Sequence, residues 1–212
     1  MLRVNEIFFS IQGESTFAGL PCVFVRLTGC NLRCVYCDTS SAWEEGTDRT
    51  PDSIWDEAGR YSCRLVEITG GEPLLQPQSP ELAKGFVERG WTVLVETNGT
   101  MDIDLLPDPI VRIMDIKCPS SGCEEQNDWK NAERLRPTDE VKFVIQDRSD
   151  FHWASQVLQK YPLVQKAKVL FSPVLDVLKP HVLAEWILKE SLTVRMQPQL
   201  HKILWPTITR GR

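Results

Sequence analysis

Three cysteines fall within eight positions of the chain, Cys30, Cys34 and Cys37, in the stretch GCNLRCVYCDT over 29–39. Clustered thiolates are metal ligands, and four of them close a tetrahedral zinc site or hold the usual iron–sulfur cluster. Three leave one position open. On a 4Fe–4S cluster that position is an iron free to take an outside ligand, which is a place for chemistry rather than for structure. The competing reading is a zinc site completed by Cys22, Cys63 or a histidine. The four cysteines outside the array, Cys22, Cys63, Cys118 and Cys123, do not suggest the paired framework of a small secreted domain. They read as packing or surface thiols and are assigned no metal.

Polar clusters follow several apolar runs: TGGEP (69–73), ETNG (96–99), DIKCP (115–119) and FSPV (171–174). Consecutive glycines such as Gly70 and Gly71 after a strand let a backbone approach a ligand closely. Arg26 stands in the middle of an apolar run, where a ligand role is a better account than a surface ion pair.

The elements that must carry these groups are strands alternating with helices. Short β-branched or apolar runs occur at 22–29, 65–71, 91–99, 110–119, 140–147, 167–174 and 192–197. They read as near-continuously apolar strands, buried on both faces of a parallel sheet. Helices are predicted at 51–61, at 79–90 with Ser79 as N-cap, at 147–162 and at 178–191, with one short helix at most in 117–138. About six βα units are too few for a complete eight-stranded barrel, so a partial, open parallel βα barrel is expected. In such sheets the ligand site lies at the carboxyl ends of the strands, where the polar clusters fall.

The 212 residues fit one domain, with 42% hydrophobic and 25% charged residues and a net charge of −5. No basic footprint points to nucleic acid. The N-terminus does not read as a secretory leader and no apolar run is long enough to span a bilayer, so no membrane partner and a cytoplasmic location are expected.

The array, with aromatic Tyr36 before its last cysteine, resembles the radical S-adenosylmethionine signature. Together with FFSIQGESTFAG (8–19), Arg26, CDT (37–39), ITGGEP (68–73), ETNGT (96–100), DIKCPSSG (115–122) and QLHKIL (199–204), it resembles the 7-carboxy-7-deazaguanine synthase family over nearly the whole chain. Ser15 departs from the glycine that many members carry. The resemblance implies a single domain over 1–212, with the segment 175–212 helping to close the substrate site. It implies one 4Fe–4S cluster on Cys30, Cys34 and Cys37, and Mg²⁺ on Thr39, which could equally be a helix N-cap. S-adenosylmethionine would bind at Tyr36, Cys37, Asp38, Gly70, Gly71, Glu72, Asp115, Ile116, Lys117, Phe171, Ser172, Pro173 and Val174. A small pterin substrate would bind at Ile11, Gln12, Gly13, Glu14, Arg26, Thr69 and His201. An electron donor such as a flavodoxin or ferredoxin and a homodimer are also implied. An activase that installs a glycyl radical would share the cysteines and GGE but has no need of SIQGE, Arg26 or QLHK. A zinc-stabilised binding module is the alternative from another class.

Overall fold

Along the strand Leu65–Gly70, Val66 and Ile68 face one way, and Glu67 and Thr69 the other. That two-residue period recurs across the sheet and fixes the architecture. The computed structural model describes residues 1–208, 210 and 211; Thr209 and Arg212, within the predicted closing segment 175–212, lie outside the described residues. Nine strands are described: β1 (Leu2–Ile11), β2 (Pro21–Leu27), β3 (Thr47–Arg49), β4 (Leu65–Gly70), β5 (Thr92–Thr97), β6 (Val111–Ile116), β7 (Glu140–Ile145), β8 (Lys168–Pro173) and β9 (Arg195–Met196). They form one sheet in the order β3-β1-β2-β4-β5-β6-β7-β8-β9. From β2 to β9 every neighbouring pair is parallel, whereas β1 runs antiparallel to both β2 and β3. Among the described residues β3 does not meet β9, so the sheet is an open, partial barrel.

The helices are α1 (Pro51–Ala58), α2 (Ser79–Glu88), α3 (Asn131–Arg134), α4 (Arg148–Lys160), α5 (Leu163–Lys166), α6 (Pro180–Lys189) and α7 (Leu200–Leu204). The first six place apolar residues in one core with the outer face of the sheet. Phe86, Phe151 and Leu183 lie there with Val25, Ile68, Val95, Ile116, Phe143 and Phe171. Thr50 caps α1 by accepting from Ser53 N at 3.2 Å, and Asp147 caps α4 by accepting from Asp150 N at 2.9 Å.

Several expectations are corrected. The strands are buried on both faces, but only the outer face is apolar throughout: the inner face is apolar at its amino-terminal end and carries charged and polar residues where it lines a cavity. The N-terminal strand and β3 add an antiparallel edge that apolar runs did not announce. The run at 192–197 forms only the two-residue β9. Ser79 is the first residue of α2 rather than its cap, and its buried hydroxyl has no partner among the described residues. The segment 117–138 holds α3 and two 3₁₀ turns, Pro119–Ser121 and Glu124–Gln126.

Candidate active site

The inner face of the sheet lines a cavity of about 190 Å³ that runs from the cysteine loop to the loop after β1. Its walls take alternate residues from successive strands: Phe24 and Arg26 from β2, Glu67 and Thr69 from β4, Glu96 from β5, Ile113 and Asp115 from β6, and Lys142 and Val144 from β7. An apolar cluster of Phe8, Cys22, Phe24, Leu65, Leu94 and Ile113 fills the amino-terminal end of the inner face. There Phe8 stacks on Phe24 with ring centres 4.9 Å apart.

At the other end the loop after β2 carries Cys30, Cys34 and Cys37, all half-buried, all free of disulfides and all lining the cavity. Three neighbours shape this loop. Gly29 N donates to Ala42 O at 2.8 Å, Glu72 N to Gly29 O at 2.7 Å, and Val35 N to Ser121 O at 3.0 Å. A methyl group on Gly71 would stand 2.1 Å from Gly29 O, so only glycine lets the TGGEP loop lie against the cysteine loop. Burial raises the Cys30 thiol and pushes Cys34 up to about 12, Lys117 opposing the shift at both. Bare thiolates at Cys30 and Cys34 are therefore poorly supported, and positively charged iron would supply the compensation they lack. Leu32 N donates to Cys30 Sγ at 3.4 Å, and Asn98 Nδ2 lies 3.9 Å from it. Such N–H···S contacts tune a bound cluster. The donor set fits a three-cysteine cluster. Cys22 and Cys63 cannot complete it: Cys22 opens β2 at the end opposite the array, and Cys63 donates to Pro21 O at 3.2 Å. Among the described residues no three His, Cys, Asp or Glu side chains are grouped to hold a single metal ion.

Most of the residues read from the sequence meet at this cavity. Ile11, Gln12, Gly13, Glu14, Arg26, Tyr36, Asp38, Thr39, Thr69, Gly70, Gly71, Asp115, Lys117, Val174 and His201 line it with the three cysteines. Glu72, Ile116, Phe171, Ser172 and Pro173 do not. Glu72 is fully buried beside it, where Leu74 N, Thr97 Oγ1 and Asn98 N take its carboxylate at 3.0, 2.8 and 2.6 Å. Its side chain ties TGGEP to ETNG. Ile116 and Phe171 point outward into the core. In the cavity wall Asp115 Oδ1 is buried with no partner among the described residues, as a group that meets a ligand would be.

Arg26 makes an ion pair and also lines the cavity. Directly across from Glu6 in the β1–β2 pair, it donates Nε to Glu6 Oε1 at 2.9 Å while its guanidinium lies 5.7 Å from the Phe8 ring centre in the cavity wall. Gln12 is committed: its amide donates to Glu67 Oε2 and accepts from Glu14 N at 3.1 Å. Thr39 precedes a 3₁₀ turn, Ser40–Trp43, but makes no side-chain cap there; its hydroxyl lies 3.8 Å from Cys37 Sγ. Hence the N-cap alternative is not realised.

The C-terminal segment straps the loop after β1. Leu200 N donates to Gly13 O at 2.9 Å, Gln199 Nε2 to Glu14 Oε1 at 2.9 Å and Gln197 Nε2 to Ser15 O at 2.6 Å. A methyl group on Gly13 would stand 2.2 Å from His201 Nδ1, so the glycine allows the imidazole to sit flush on the loop. Lys202 pairs with Asp38 at 2.9 Å and joins this strap to the cysteine loop. Ser15 adopts φ +65°, which explains why glycine suits the position.

The sequence reading missed the charged lining of the inner face. Glu67 is fully enclosed; burial and the neighbouring Glu96 push it up to about 8. Glu96 is only partly buried; burial opposes its charge, but Lys142, Lys117 and the Thr69 hydroxyl together hold it below the usual carboxylate range. At Lys117 burial works against the charge, but Asp115 at 3.0 Å and Cys34 together outweigh it and raise the ammonium above its ordinary value. The signal available was period-two spacing of single charges inside otherwise apolar strands.

An open parallel sheet with a three-cysteine loop after its first parallel strand defines a class, and the Radical SAM superfamily model matches residues 24–115. The chain is a radical S-adenosylmethionine protein. The 7-carboxy-7-deazaguanine synthase of Chlorobaculum tepidum is 43% identical, covering 99% of this chain and 97% of the relative. That of Koribacter versatilis is 40% identical, covering 99% and 100%. The chain belongs to the 7-carboxy-7-deazaguanine synthase family. QueE from Escherichia coli shares its fold, with a TM-score of 0.77 at 24% identity over 94% of each chain. SuiB from Streptococcus suis, solved bound to S-adenosylmethionine, reaches 0.57 at 13% identity over 80% of this chain and 48% of SuiB.

Proposed function

We propose that the chain converts 6-carboxy-5,6,7,8-tetrahydropterin to 7-carboxy-7-deazaguanine by radical ring contraction with loss of ammonia, a step of queuosine (7-deazapurine) biosynthesis. One observation carries this reading: a polar, charge-patterned cavity opens directly onto the three-cysteine loop. Cys30, Cys34 and Cys37 would hold the 4Fe–4S cluster. Tyr36, Asp38, Gly70, Gly71, Asp115 and Lys117 would hold S-adenosylmethionine, with Ser172 and the backbone of Ile116 and Phe171 to Val174 beside them. When bound, the cluster and S-adenosylmethionine supply a 5′-deoxyadenosyl radical; the difficult chemistry is theirs.

The chain's own residues bind, orient and enclose. Arg26 and His201 answer a carboxylate, Arg26 by charge-assisted hydrogen bonds. Glu14 and Thr69 face the cavity where the N–H edge of the heterocycle needs acceptors. Gln12, whose amide is taken up by Glu67 and Glu14, shapes the loop. The strap from Gln197 to Lys202 keeps water from the reacting centre. Thr39 offers a hydroxyl oxygen of the type Mg²⁺ accepts, with the remaining ligands from water and the substrate carboxylate. The family resemblance supports an external electron donor such as a flavodoxin or ferredoxin, a homodimer and a cytoplasmic site of action. Among the described residues no helix is long and apolar enough to cross a membrane.

The test is an anaerobic assay of the iron–sulfur-reconstituted protein with S-adenosylmethionine, reductant, Mg²⁺ and the carboxypterin. Deazaguanine product and released ammonia are expected in equal amounts. Thr39→Val should leave cluster content unchanged while the Mg²⁺ concentration for half-maximal turnover rises. Cofactor cleavage without any deazaguanine would refute the substrate assignment, and turnover indifferent to Mg²⁺ in both proteins would refute the role of Thr39.

A further inference from the structure

Lys142 stands in the middle of β7 and is 4% exposed. Its ammonium meets three carboxylates from three different segments: Glu14 Oε2 at 2.8 Å from the loop after β1, Glu96 Oε1 from β5, and Asp115 Oδ2 at 3.3 Å from β6. Two of its three donors are hydrogen-bonded, to Glu14 and Glu96, and Asp115 adds an ion pair, so the ammonium is held within the wall of the cavity. The second oxygens of the two glutamates are also held. Glu14 Oε1 accepts from Gln199 Nε2 at 2.9 Å, and Glu96 Oε2 from Thr69 Oγ1 at 3.1 Å. Both carboxylates are thus fixed in direction and both line the cavity.

Glu14, Glu67, Glu96 and Asp115 share this small space, and like charges so close cannot all stay ionised without a cation among them. A protonated carboxyl is a donor as well as an acceptor and no longer selects for N–H groups. We propose that Lys142 is a positioning residue for substrate: it holds Glu14 and Glu96 as ionised, fixed acceptors, so the cavity selects heterocycles whose edge presents an amino group and ring N–H. This inference rests on the pterin reading above and extends it to specificity. Arg26 on β2 and His201 on the strap supply the donors for the carboxylate, so donors and acceptors together set the orientation of the substrate.

The test compares the carboxypterin with its analogue bearing oxygen in place of the 2-amino group, in wild type, Lys142→Met and Lys142→Arg, all cluster-loaded and anaerobic. Wild type should prefer the amino compound by about 100-fold or more in kcat/KM, because a site built for N–H donors leaves its acceptors unpaired with the analogue. Lys142→Met should raise the KM for the carboxypterin by at least about tenfold, lower kcat less, and narrow the preference for the amino compound. Lys142→Arg, which keeps the charge, should recover most of both. A role in packing alone would predict no change in the amino-to-oxo preference. Wild-type turnover of both compounds at equal kcat/KM overturns the inference even if Lys142→Met fails to fold. So does a Lys142→Met enzyme whose KM and preference match wild type. Absence of any wild-type product from the carboxypterin defeats the functional reading itself, which the same experiment records separately.

Discussion

The two faces of one sheet obey opposite rules. On the outer face Val25, Ile68, Val95, Ile116, Phe143 and Phe171 pack against helices in a continuous apolar core. On the inner face Arg26, Glu67, Glu96, Asp115 and Lys142 come from five neighbouring strands and surround a cavity. The outer residues lower the free energy of the fold by leaving water, about 1.5–3 kcal/mol for each large side chain. The inner residues do the reverse: desolvation opposes every buried charge, so Lys142 is paired with Glu14, Glu96 and Asp115, while Glu67, bonded to the Gln12 amide, is held neutral. Stability thus resides on one face and recognition on the other, with a single residue step between them.

The largest effects should follow from the end of the cavity where neither face decides. Replacing Cys30, Cys34 or Cys37 by Ala is expected to abolish cluster and turnover, since a methyl group cannot ligate iron. Cys118→Ala, in the outer core, and Cys123→Ala should each retain a full cluster; iron and sulfide analysis with the visible spectrum reads both outcomes. Half the iron in either would mean a second cluster.

Next comes the outer face itself. Phe143→Ala should destabilise the fold by about 3–5 kcal/mol, the usual range for emptying a buried aromatic site. Denaturant unfolding measures this, and the protein that remains folded should bind substrate normally. A large rise in KM with little loss of stability would break the division between faces.

Arg26→Ala probes the inner face. Loss of a charge-assisted contact typically costs about 1.5–3 kcal/mol, or roughly 10–150-fold in affinity. Titration of the loaded enzyme should show that loss for the carboxypterin, with a far smaller change for S-adenosylmethionine. Equal losses for both ligands would make Arg26 a structural residue.

The narrowest effect, confined to one pH window, is on pH dependence. In the fold Glu67 keeps its proton up to about pH 8, against an ordinary value of 4.5. Below pH 4.5 both folded and unfolded chains are protonated there, and the residue contributes its full stability. As pH rises toward 8 the unfolded chain ionises while the fold does not, so that contribution is lost. Glu67→Gln should remove this decline, gaining on wild type by an amount on the order of a few kcal/mol between pH 5 and 8. Melting curves across that range test it; parallel curves for the two proteins would show that Glu67 is not held neutral.

How much of this was legible in the sequence depends on how local each signal is. The cysteine loop and Gly70–Gly71 were readable because their residue types and short spacings state their chemistry, and βα alternation gave the open barrel. Lys142 was not, because its partners Glu96 and Glu14 lie 46 and 128 positions away and only the closing of the sheet brings them together. Glu72 shows the limit of a motif for a related reason: ITGGEP locates the loop, but only the structure shows the side chain buried beside the cavity and bonded to Thr97 and Asn98. The strand β1 escaped notice since its residues alternate between buried, partly buried and exposed without a continuous apolar run.

An anaerobic crystal structure of the cluster-loaded enzyme with S-adenosylmethionine and the carboxypterin tests the central claim most directly. The account predicts the heterocycle inside the cavity, its carboxylate on Arg26 and its amino edge toward Glu14 and Glu96. A heterocycle bound outside the inner face of the sheet, or reversed with its amino edge on Arg26, would contradict it.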